Sequence, residues 1–347
     1  MAIYVQDEFG KGSSKSAEGV LRYASNPIAC CIDSKTAGKS IKAVVGIDCP
    51  APIVGSIEEA LKLKPDALLL GTAWSGGKLP QAWREDIIQA VKAGLHVVNG
   101  LHDFLSEDEE IAALAKKHGV ALYDVRRPPD NLPVGNGRVL KTDNIVVLTV
   151  GSDCSVGKMT TTLEIQKSAT KKGVQSSFVA TGQTGIMIAG RGIAIDRVIG
   201  DFMAGATEQM VLQAGAEAEL VLVEGQGSIS HPGFSGVTLA LLHGSAPQAL
   251  ILCHRPARKC LKSTEFPIAD LNRLIQSYES VASYLRPAKV IAVALNTQDL
   301  NEEEAKQAIA ETQATTGLPT TDSVRFGADV LFDAIAPLLK TSKVAVK

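Results

Sequence analysis

At 347 residues with 45% hydrophobic content, the chain has material for two packed cores. Its 35 basic and 37 acidic residues nearly cancel, with no long run of either sign, which argues against a nucleic-acid or membrane-surface footprint and points to a small-molecule substrate. The longest apolar runs, such as NIVVLTV and ELVLV, are far too short to cross a bilayer, and the N-terminus carries no basic-then-apolar signal pattern, so a cytoplasmic protein is expected.

Residues 27–126 alternate short apolar runs with segments of helical period. IACCID, KAVVGID, ALLLG, HVVNG and ALYDV read as strands, and SIEEALKLK, LPQAWREDIIQAVKAG and DEEIAALAKKHG as helices, with Gly94 and Gly119 as helix ends. Strands apolar throughout, alternating with helices, predict a parallel sheet buried on both faces. Prolines and glycines then cluster over about 127–143, which reads as a linker between a first domain, 1–130, and a second, 131–347. The alternation resumes with IVVLTV, a helix over 158–172, SSFVAT, a helix near 204–215, LVLVEG, ALILC, KVIAVALN and a last amphipathic helix over GADVLFDAIAPLL. The fold class is α/β, with two doubly wound domains.

Between the strand IVVLTV and its helix lies GSDCSVGKMT, residues 151–160, with the spacing of a phosphate-cradling loop. Gly151 and Gly157 let the backbone curl so that N–H groups of Asp153, Cys154, Ser155 and Val156 face one cavity, while Lys158 adds a point charge. Met159 stands where a magnesium-holding hydroxyl normally follows the lysine, and Thr160 comes one position late, turned about 100° around the helix. A ligand held by a diphosphate that is not itself transferred fits such a loop, and coenzyme A is one. No metal is expected. ATP stays open as an alternative if Asp153 or Glu224 recruits Mg2+.

A second run, LVLVEGQGSISHPGFSG, ends a predicted strand in Glu224 and continues through glycines to His231. At the carboxyl edge of such a sheet, either residue can serve as a catalytic base, although helix capping and an ordinary loop histidine are the plainer roles. The glycine-rich ATGQTGIMIAGRGIAIDRVIGDF reads as a pocket wall, in which Arg191 either forks onto a substrate carboxylate or pairs with a local aspartate. Asn99 at a predicted strand end, and Arg126 and Arg127 at the domain junction, complete the substrate-binding candidates. Six cysteines without a Cys-x-x-Cys pair predict reduced, structural thiols, and the first domain lacks a dinucleotide fingerprint.

TVGSDCSVGKMTTT, VATGQTGIMIAGRG, VEGQGSISHPGFSG and YDVRRPP together resemble a bacterial family of two-domain proteins whose characterised branch is D-glutamate N-acetyltransferase. The resemblance covers nearly the whole chain. It implies a Rossmann-like N-terminal domain, a P-loop NTPase-like C-terminal domain similar to dethiobiotin synthetase, a homo-oligomer, and acetyl-CoA held by Gly151, Gly157 and Lys158 with Met159 and Thr160 alongside. The implied activity is acetyl transfer from acetyl-CoA to the amine of an acidic amino acid, most closely D-glutamate. An ATP/Mg-dependent kinase or a ligase of the dethiobiotin synthetase type is the alternative.

Overall fold

The computed structural model describes residues 1–72 and 79–344. Two compact units emerge, one formed by 1–128 with 183–194, the other by 129–182 with 195–347.

In the first unit, β1 (Ala2–Tyr4), β2 (Cys30–Ile32), β3 (Ile53–Val54), β4 (Ala67–Leu70), β5 (His96–Asn99) and β6 (Leu122–Asp124) form one parallel sheet in the order β3-β2-β1-β4-β5-β6. The order reverses direction at β1, as in a Rossmann-like sheet. The connecting helices are α1 (Lys15–Tyr23), α2 (Ile41–Val45), α3 (Ile57–Leu61), α4 (Gln81–Lys92) and α5 (Glu109–His118). One face of the sheet packs Tyr4, Ile32, Leu68 and Val97 against Trp83, Ile87 and Ile111. Tyr4 and Trp83 meet edge to face at 4.7 Å between centroids.

Two expectations change here. KAVVGID is not a strand, because Ser40 accepts the Ala43 N–H as a cap and Gly46 (φ 69) ends α2 in the left-handed region. The central strand β1 lies in the N-terminal AIY, a run too short to show a period.

The second unit begins with a strap rather than a free linker. Pro133 O lies 1.8 Å from where a Cβ on Gly205 would sit, and the Arg138 N–H and side chain both bond the buried Glu208 carboxylate at 2.7 Å. Glycine at 205 is therefore required for the strap to lie on its helix. The strands β7 (Ile145–Gly151), β8 (Ser176–Val179), β9 (Leu220–Val223), β10 (Ala249–His254), β11 (Lys289–Leu295) and β12 (Thr320–Thr321) run parallel in the order β12-β11-β10-β7-β9-β8. The helices are α6 (Lys158–Lys171), α8 (Gly200–Gly215), α9 (Ser235–Ser245), α10 (Leu271–Ala282), α11 (Glu302–Thr316) and α12 (Asp329–Val344). Between them α7 (Gln183–Ala189) belongs to the first unit, where Thr184 Oγ1 lies 2.7 Å from Ser16 Oγ. The run expected as a pocket wall of the second domain is thus divided between the units. The order places β7 between β9 and β10, so the carboxyl ends of all three open onto one edge, where doubly wound sheets bind ligands. No helix among the described residues is long and apolar enough to cross a membrane.

Candidate functional site

β7 ends at Gly151, and the chain curls through 152–157 into α6. Ser155 (φ 53) and Gly157 (φ 100) both occupy the left-handed region, folding the loop over the start of the helix. A Cβ on Gly151 would lie 2.9 Å from Lys158 Nζ and from Val156 Cγ2, so a side chain there would fill the cradle. α6 starts without a side-chain cap, leaving its first N–H groups to an anion. Lys158 is 6% exposed, and burial lowers its pKa. Its Nζ donates to the carbonyls of Asp153 and Gly227, each at 2.8 Å. Neither acceptor is charged, and the whole set of donors fits a diphosphate.

Glu224 follows β9, the strand paired with β7. Its Oε2 accepts the N–H groups of Thr181 (2.9 Å) and Gly182 (3.2 Å), and Thr181 Oγ1 donates to Glu224 O at 2.8 Å. Oε1 accepts no hydrogen bond among the described residues. Burial pushes the carboxyl up to about 7, against the pull of the Thr181 and Gly182 N–H groups and of Lys158, with Asp196 adding to the rise. A buried carboxyl with one open oxygen and a pKa near neutrality is suited to proton transfer.

Several side chains that fix this loop escaped the sequence reading. Asp153 is fully buried, and its Oδ2 accepts from Arg258 Nη1 (2.7 Å) and from the Lys262 N–H (2.8 Å). Through Oδ2 the Asp153 side chain ties the loop to the segment after β10, while its carbonyl accepts from Lys158 Nζ. Arg258 also donates to Cys154 O at 2.6 Å. Ser152 Oγ lies 2.8 Å from His254 Nδ1, and burial, Lys259 and Arg258 push His254 down to about 4, so a neutral ring and the hydroxyl share this hydrogen bond. Tyr278 on α10 donates to Gly151 O (2.7 Å) and accepts from the Ile229 N–H (3.1 Å), tying the cradle to the turn after Glu224. Gln226 Nε2 donates to Thr181 O, steadying the residue that holds Glu224. The one available signal was the cationic run RPARKCLK directly after β10.

His231 is placed differently from expectation. Its Nδ1 accepts the Gly233 N–H (3.1 Å), which fixes the proton on Nε2, and Nε2 donates to Lys262 O (3.0 Å). With both ring nitrogens engaged, His231 braces the turn and presents no free ring nitrogen to a substrate. Asp153, Cys154 and His231 also converge within 4.8 Å as a set able to hold a metal ion, but the His231 ring bonds and the Arg258 contact compete for that use. Among the remaining loop candidates, Val156 is buried in the core beneath α6, Ser155 is exposed, and Met159 and Thr160 are half-buried.

The other substrate-binding candidates lie in the first unit. Asn99 is a strut: its amide donates to Asp103 O (2.8 Å) and Asp124 Oδ1 (2.7 Å) and accepts from the Leu101 N–H (2.9 Å). Arg126 is buried with Nε on Gly100 O at 2.9 Å. Arg127 pairs with Glu107 at 2.8 Å and lies over the Phe104 ring at 4.4 Å. Arg191 is exposed on the 183–194 segment.

Comparison with known proteins agrees with this architecture. A domain of unknown function described as the DUF1611 P-loop domain matches residues 133–332, and the DUF1611 Rossmann-like domain matches 34–128. A D-glutamate N-acetyltransferase of Tritonibacter scottomollicae is 40% identical over 283 residues, 81% of this chain and 84% of its own. One from a Pseudoalteromonas species is 40% identical over 278 residues, covering 79% and 82%. The crystal structure of a DUF1611 family protein from Anabaena variabilis superposes with a TM-score of 0.93 at 43% identity, covering 97% of this chain and 98% of that one. The chain belongs to the DUF1611 family, and to one family with these two D-glutamate N-acetyltransferases, joining a Rossmann-like domain to a P-loop domain.

Proposed function

We propose that the chain is an N-acetyltransferase that moves the acetyl group of acetyl-CoA onto the amine of D-glutamate. The observation that carries this reading is the pairing, on adjacent strands, of a phosphate-type cradle whose lysine is followed by Met159 with a buried Glu224 carboxyl whose pKa lies near 7. The names of the two relatives support the acetyl transfer and its substrate.

In this mechanism the cradle and Lys158 grip the diphosphate of the acetyl donor as a handle. Glu224 Oε1 takes a proton from the substrate ammonium, and the freed amine attacks the thioester carbonyl carbon. The C–S bond then breaks as the nitrogen gives up its extra proton to the departing sulfur, which leaves as the free thiol. Main-chain N–H groups of the turn at Gln226–Ser228 are the proposed donors to the oxyanion. Thiol release from acetyl-CoA, measured against a panel of D- and L-amino acids, tests the reading: acetylated D-glutamate should form, and no thiol release with any member would refute it.

One observation favours the Mg·ATP alternative. Asp153 Oδ1 is buried without a hydrogen-bond partner, a position that suits a cation or a donor. Calorimetry separates the two, since tight Mg·ATP binding with no response to acetyl-CoA would select the alternative.

A further inference from the structure

The run after β10 carries four cations in eight residues, Arg255, Arg258, Lys259 and Lys262. Two are spent internally. Arg255 forks onto Asp299 at 2.5 and 2.6 Å, and Arg258 pairs with Asp153 at 2.7 Å. Among the described residues, Lys259 and Lys262 form no ion pair.

Lys262 is held at the rim of the cradle from three directions. Its N–H donates to Asp153 Oδ2 (2.8 Å), its carbonyl accepts from His231 Nε2 (3.0 Å), and its Nζ makes only a long contact, 3.4 Å, with the Ser155 hydroxyl. The main chain is locked by two bonds that do not depend on the side chain. The ammonium has one weak neutral partner and surrenders little to meet an anion. On the proposed reading Lys158 serves the diphosphate, so a second, uncompensated cation whose main chain is held at the rim is placed to meet a further phosphate on the ligand.

Resting on the acetyl-CoA reading, we propose that Lys262 recognises the 3′-phosphate of coenzyme A and sets the preference for it over the 3′-dephospho form. A phosphomonoester carries a charge of about −1.5 to −2 at neutral pH, enough to engage the Lys262 ammonium strongly.

The test is calorimetric, on the full chain, with coenzyme A, dephospho-coenzyme A, ATP and ADP. The wild type should bind coenzyme A on the order of tenfold or more tightly than the dephospho form. In Lys262→Ala that ratio should fall towards one, whereas Lys262→Arg should keep most of it. Circular dichroism of each variant should match the wild type, since both main-chain bonds survive; if Lys262→Ala misfolds, the wild-type ratio and Lys262→Gln are the deciding measurements. Equal binding of the two coenzymes by the wild type, or a ratio unchanged in Lys262→Ala, overturns the inference while leaving the acetyl-CoA reading intact. Binding of neither coenzyme overturns that reading and the inference with it. A Lys262-dependent preference for ATP over ADP, with none between the coenzymes, assigns the lysine to a different third phosphate and overturns the proposal.

Discussion

Replacing Glu224 by Gln separates a base from a brace, because the two roles respond to pH in opposite ways. Gln keeps an acceptor for the Thr181 and Gly182 N–H groups but cannot ionise. In the wild type the carboxyl pKa stands at about 7 against an ordinary 4.5. Between those values the folded chain holds a proton that the unfolded chain has released, so stability falls as pH rises from 4.5 and levels off above 7. Each tenfold change in proton affinity corresponds to about 1.4 kcal/mol, so the penalty at pH 8 approaches about 3 kcal/mol. Glu224→Gln escapes it. Relative to the wild type, the variant should gain stability between pH 5 and pH 8, by roughly 6 °C in Tm for a unit of this size. Its activity should move the other way, with kcat lowered by about 10²–10⁴-fold and the acid limb of kcat/KM, centred near pH 7 in the wild type, abolished. Thermal melts and initial rates at matched pH values provide both readings. A Tm difference that does not change with pH would refute the buried, proton-holding carboxyl, and an acid limb that survives the substitution would remove Glu224 from the chemistry.

Three further outcomes follow from the same geometry. Lys158→Ala should weaken coenzyme A binding by about 10–100-fold in calorimetry, because a charge-assisted contact to the diphosphate is lost. Tyr278→Phe removes the hydroxyl that joins Gly151 O to the Ile229 N–H; it should cost about 1–3 kcal/mol in denaturant unfolding and raise KM for the acetyl donor more than it lowers kcat. In Gly225→Ala the new Cβ would fall 1.7 Å from Thr149 O and 3.0 Å from Lys158 Cδ; the shift of β9 away from β7 should destabilise the protein by at least about 2 kcal/mol, and a wild-type Tm would refute that packing.

The strands that read clearly from sequence are those buried on both faces, such as Ile145–Gly151 and Leu220–Val223, where apolar runs are unbroken. Ala2–Tyr4 escaped because three residues carry no period, even though the strand sits mid-sheet. Ile41–Val45 was misread on its β-branched residues; Ser40 and Gly46, at cap spacing, were the better signal. In the candidate site, the positions of Gly151, Gly157, Lys158 and Glu224 at one sheet edge follow from a local motif and a strand end that the sequence displays. Tyr278, Arg258 and Lys262 were not legible, since a tyrosine on an amphipathic helix reads as core and loop cations read as solvated. What gives these three their role is the return of distant segments to one sheet edge, which leaves no mark in the local pattern. His231 shows the converse: its residue type suggested a base, and only the Gly233 and Lys262 contacts reveal that both nitrogens are occupied.

The residue after the lysine and the acid after β9 are two parts of one electrostatic arrangement. A divalent cation bound beside the diphosphate would pull a neighbouring carboxyl far below neutrality, as any close positive charge does, and a carboxylate so stabilised is a poor base at pH 7. Glu224 holds a pKa of about 7 because burial outweighs the two N–H groups and the single ammonium that favour its charged form. A hydroxyl in place of Met159 would supply the hard oxygen that such a cation seeks. A thioether supplies none, so on the proposed reading the cradle would grip a diphosphate through N–H groups and Lys158 while the neighbouring strand keeps a carboxyl able to take a proton. In a phosphoryl-transfer enzyme the same strand-end acid serves the metal; here, on the proposed reading, it serves the amine.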